Sequence, residues 1–155
     1  MSRTNLIALH GVAGAAALLT IVTFWVSALT AELALSTAGV VAVRTAILYA
    51  VPVLVIAMIA AGASGARLAG RSKALAILAK RRRMALAAAN GLLVLVPSVV
   101  FLGLRAQAGH IDATFAIVQI VELSAGAFNI ALLALNMKAG MAMRARRVRV
   151  GKVVG

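Results

Sequence analysis

Cysteine is absent from the 155 residues, so disulfides, thiolate metal sites and thiol nucleophiles are excluded. Acidic residues are scarce: Glu32, Asp112 and Glu122 are the whole set, against 16 Lys and Arg. Histidine occurs only as His10 and His110, and proline only as Pro52 and Pro97. Charged residues make up 12% of the chain, where a soluble domain carries ~25%. Phosphate-loop and nucleophile-elbow spacings are missing too. The glycines around Arg67 lack a following Gly-Lys-Ser/Thr, and Gly62-Ala63-Ser64-Gly65 lacks the elbow pattern. His110 with Asp112 falls short of the three or four ligands of a stable metal site. Nothing here suggests an autonomous hydrolytic or group-transfer enzyme.

What the chain has instead is apolar length. It is 64% hydrophobic with a mean hydropathy of +1.08, against ~45–50% apolar for soluble domains. The expected fold is all-α, an integral membrane antiparallel four-helix bundle in one domain, residues 1–155. Spans of ~20 residues fit at 6–29, 40–63, 84–104 and 113–138. The first exceeds a cleavable signal core and is read as an uncleaved span. Pro52 should kink or loosen span 2, and Pro97 lies near the centre of span 3. Residues 32–39 form a short outer loop, and Gly62, Ser64, Gly65 and Gly70 mark the exit of span 2. Asp112 suits the N-cap of span 4.

The formal charge of +13 is placed as a topology signal rather than a nucleic-acid footprint. Fourteen of the sixteen Lys and Arg fall at Arg3, in the loop 67–83 and in the tail from Lys138 on. Charge on alternate loops puts both termini in the cytoplasm, against anionic lipid headgroups. The run 74–79, within the basic loop, is too short to span and should lie along the interface. The tail 141–155 should fray into water.

Polar residues inside the spans are the candidate sites. Glu122, Asn129 and Asn136 recur every seven residues, and Gln119, Gly126, Leu133 and Gly140 form a second row. On a helix the rows merge into a stripe that must face other helices, because amides and carboxyls do not face acyl chains cheaply. Depth, at ~1.5 Å per residue, sorts the polar residues into two groups. The outer group is Arg44, Tyr49, Gln119 and Glu122, where Glu122 needs a partner such as Arg44. It reads as an ion pair that fixes register, or as a proton-coupled transport site. The inner group is His10, Asn90, Asn129 and Asn136. It reads as a satisfied histidine, as a quinone headgroup site, or as a haem b site with Met84 as a candidate second ligand. His110 lies across a ~30 Å core and cannot share one iron with His10.

Leu9-His10-Gly11, Asn90-Gly91-Leu92-Leu93, Gln119, Val121-Glu122-Leu123 and Asn129 together resemble a group of small, uncharacterised bacterial four-span inner-membrane proteins. That resemblance covers most of the chain and implies the same topology in a bacterial inner membrane. It brings no reaction with it. His10 beside Gly11, with Gly14 one turn on, bears a looser likeness to b-type cytochrome bundles, in which an imidazole ligates haem iron. The leading expectation is an accessory or assembly subunit of a membrane complex, or a self-associating one. An electron-transfer protein and a small transporter are the alternatives.

Overall fold

The computed structural model describes residues 2–34, 36–70 and 75–153, with side chains to residue 142 except Ala76. The chain is an all-α four-helix bundle. Helix α1 is Arg3–Ala34, α2 is Thr37–Ala69, α3 is Leu75–Asn90, α4 is Val96–Gln107 and α5 is Ala113–Val153. A π-helical turn, Gly91–Leu95, joins α3 to α4 within one continuous rod. Among the described residues, four helices are long and apolar enough to cross a membrane: Arg3–Ala34, Thr37–Ala69, Ile77–Gln107 and Ala113–Ala142.

The helices overrun the spans read from hydropathy, for local reasons. Glu32 belongs to the last turn of α1 rather than to a loop. The turn is short because Ser36 caps α2, its Oγ accepting from the Gly39 N–H. Gly62, Ser64 and Gly65 do not end α2. Gly70 does, at φ 51°, with its N–H donating to the Ala66 carbonyl. Of the run 74–79, Ala74 lies outside the described residues, and Leu75 onward is helical and opens α3. The tail does not fray at 141, since α5 continues to Val153. The side chains of its last basic residues lie outside the described ones.

The two prolines behave differently. Helix α2 runs unbroken through Pro52. Loosening occurs ahead of Pro97, where the Val96 N–H reaches back to the Gly91 carbonyl. A proline cannot donate to the carbonyl four residues earlier, and the wider turn accommodates the missing bond. Asp112 caps α5 as expected: its Oδ1 accepts from the Phe115 N–H at 3.0 Å, and Arg105 pairs with it.

Long-range bonds fix the direction of packing. His10 meets Ala61 and Ser64 near one end of the α1–α2 pair, and Glu32 meets Arg44 near the other. The pair is therefore antiparallel. Helix α1 lies between α2 and α5, and the α3–α4 rod closes the ring between them. The end holding Arg3, Arg67 and Arg81–Arg83 is called the basic end below. The apolar core comes in stacked clusters. Ala31, Val40, Leu102, Ala106 and Phe115 fill the opposite end. Ala17, Ile21, Leu54, Ala87, Leu95, Leu132 and Leu133 fill the half toward the basic end.

Candidate functional site

The deepest charged group is Arg44. Helix α2 carries it into the bundle interior, 2% exposed. Its Nη1 donates to Glu122 Oε2 at 2.5 Å, and its Nη2 stands 3.8 Å from Glu32 Oε1. The Phe115 ring lies under the guanidinium, 5.7 Å to its centroid. Phe115, Gln119 and Glu122 recur at four and three residues on α5 and so share one face. Gln119 therefore sits level with Arg44, between two residues that touch it, and is itself buried. Glu32 was legible as an acidic residue, but placing it in a loop hid its role.

Tyr49 does not join this cluster. Its side chain is 74% exposed on the outside of the bundle. It lies five residues beyond Arg44, which on a helix turns it well away from the Arg44 face. Depth alone had grouped the two.

Trp25 ties α1 to α5. Its Nε1 donates to the Leu123 carbonyl at 2.8 Å, and its ring lies on Gly126, where a Cβ would stand 2.9 Å from Cδ1. A void of about 30 Å³ lies beside this contact, lined by Glu122 and otherwise by apolar side chains and Trp25.

The inner group divides into three. Asn90 Nδ2 donates to Asn129 Oδ1 and to the Ala125 carbonyl, both at 2.9 Å. Asn129 Nδ2 returns a bond to the Ala87 carbonyl at 3.2 Å. This reciprocal pair locks α3 to α5 with Asn129 fully buried. His10 turns to α2 instead. Its Nδ1 lies 3.0 Å from the Ala61 carbonyl and 3.3 Å from Ser64 Oγ, over Gly65. A carbonyl only accepts, so the proton sits on Nδ1 and the Nε2 lone pair is left over. Asn136 is buried, and neither amide atom has a partner among the described residues. Met84 packs against the apolar cluster of Leu132 and Leu133. Thus the two asparagines bond to each other, and α2, not Asn90 or Asn136, takes the Nδ1 of His10.

No protein-family model, curated protein or solved structure matches the chain.

A wider opening is apolar. A groove of about 330 Å³ separates α2 from the α3–α4 rod, with Gly62, Ala63, Ala88 and Gly91 among its walls. Ile59 and Leu92, also in its lining, are 65% and 59% exposed, so the groove opens to the outside of the bundle. Its position follows from the π-helical turn. Helix α2 packs closely on α4, with Leu48 against Gly103, but parts from the rod where the extra residue is absorbed.

Proposed function

We propose that the protein is a multi-pass subunit of a bacterial inner membrane that binds another subunit through the α2/α3 groove. In this reading both termini and the basic end face the cytoplasm and its anionic lipid headgroups. The groove is the observation that carries it. Helix association in lipid relies on close packing, and small residues let backbones approach. A concave face lined by Gly62, Ala63, Ala88 and Gly91 accepts a transmembrane helix of a partner. The Arg44–Glu122 and Asn90–Asn129 bonds, by contrast, lie within the bundle and do not line this face.

Gly62→Leu tests this. A Cβ at Gly62 meets nothing within 4 Å, so the side chain fills the groove without disturbing the bundle. A partner chain that co-purifies at constant ratio from native membranes should be lost in Gly62→Leu, while the melting temperature stays unchanged. A groove that holds only lipid, or only a second copy of this chain, overturns the proposal.

A redox role is the second reading, and one contact favours it. The Ala61 carbonyl holds the proton on His10 Nδ1, which leaves Nε2 as the atom an axial imidazole ligand presents. Protein purified after haem supplementation should then show a Soret band that His10→Ala removes. A colourless preparation rejects the haem b form of this reading.

A further inference from the structure

Arg44 is a chemical puzzle. A guanidinium carries five N–H donors, and one nitrogen, Nη1, is spent on Glu122. Nε and Nη2 are buried without a hydrogen-bond partner among the described residues. So are two acceptors nearby, Glu32 Oε1 and Gln119 Oε1. The Nη2–Glu32 separation of 3.8 Å is too long for a hydrogen bond. Separations of this kind, between groups of opposite role, are those that water bridges.

The inventory fits water. A buried water makes about three hydrogen bonds. Here it would accept from Arg44 and donate to Glu32 and Gln119. Phe115 closes one side of the guanidinium, and Glu32 stands 3.8 Å from its Nη2. The Glu32 side chain is 22% exposed and that of Arg44 is 1% exposed. A polar trail therefore leads inward from the end opposite the basic cluster. It stops at Glu122. The void beside Glu122 is otherwise walled by apolar side chains and by Trp25, whose N–H is already spent on Leu123, which gives a water too few partners. Toward the basic end the cluster around Ile21, Leu54 and Leu95 follows.

We infer that Glu32, Arg44 and Gln119 enclose ordered water that connects the aqueous phase at this end with the Arg44 guanidinium, the partner of Glu122. The arrangement is an aqueous half-path, closed toward the basic end, that reaches the Arg44 guanidinium from one side only. It is independent of what occupies the α2/α3 groove.

Water-edited solid-state NMR on the full chain in proteoliposomes tests it, with an internal dry standard. The Asn129 amide is fully buried, its Oδ1 bonded to Asn90 and its Nδ2 to the Ala87 carbonyl. Magnetisation from water should reach the Arg44 guanidinium and the Gln119 amide several-fold faster than Asn129. Gln119→Leu should slow transfer to Arg44 and leave Asn129 unchanged. Transfer to Arg44 as slow as to Asn129 in the unmodified protein overturns the inference. So does a direct Arg44–Glu32 hydrogen bond that leaves no room for water.

Discussion

Arg44 and Glu122 form a buried pair, and buried pairs are asymmetric in their energetics. Forming one returns little net stability, because two charges leave water, whereas removing one partner strands the other. Glu122→Leu should therefore cost ~3–5 kcal/mol, and the double variant Arg44→Met/Glu122→Leu should recover much of that loss. Thermal or denaturant melts of the four forms measure the coupling, and equal losses in the single and double variants would contradict it. The Trp25 contact gives a second test at this scale. Trp25 is the sole tryptophan, so intrinsic fluorescence reports on one contact. Gly126→Ala places a Cβ at 2.9 Å from the ring and should break the bond to Leu123. The emission maximum should shift and the near-ultraviolet circular dichroism should weaken, and an unchanged spectrum would show that the ring can yield. Asn129→Leu removes the amide that ties α3 to α5. Intramembrane bonds of this kind are worth ~0.6 kcal/mol on average and up to ~1.7. A small but measurable drop in melting temperature is expected.

Among the elements, the first turn of α5 carries the clearest pH dependence. The Phe115 N–H, above all, and then Arg105 hold the Asp112 carboxyl below its ordinary value. A carboxyl lowered on folding contributes stability that is complete above its unfolded pKa and is lost as pH falls through the folded one. Melting temperature should thus decline on the acid side. Asp112→Asn, which still caps the helix, should flatten that decline, and an identical acid limb in both proteins would refute the assignment. The cap was legible in the sequence because N-capping is local chemistry. The π-helical turn was not: two prolines look alike in sequence, and only the packing of α4 on α2 decides which rod absorbs the missing bond. Helix ends were misread where hydropathy stops but hydrogen bonding does not, at Glu32 and beyond 141. A helix persists as long as its backbone groups have partners, whatever the side chains prefer.

For the whole molecule, the fold followed from length, apolarity and charge spacing, which constrain a chain in lipid almost completely. The site followed less well. Depth along a span is readable at 1.5 Å per residue, and it correctly paired Arg44 with Glu122. Azimuth is not readable until neighbours are known, which is why Tyr49 was grouped with residues it turns away from, and His10 with asparagines on other helices. The bundle consists of two hairpins tied by Arg44–Glu122, Trp25–Leu123 and Leu48 on Gly103. Preformed helices associate in lipid through such contacts. Two halves expressed as separate chains, divided between residues 70 and 75, should assemble and co-purify. Arg44→Leu should weaken that association, and free halves with native Arg44 would contradict this view of the ties.

Glu32 and Arg44 occupy the same hairpin, whereas Glu122 arrives on the last helix. During synthesis the guanidinium thus meets a nearby carboxylate long before its tighter partner emerges. One counter-ion of Arg44 lies within its own hairpin, 3.8 Å away, and the tighter one is supplied by the last helix.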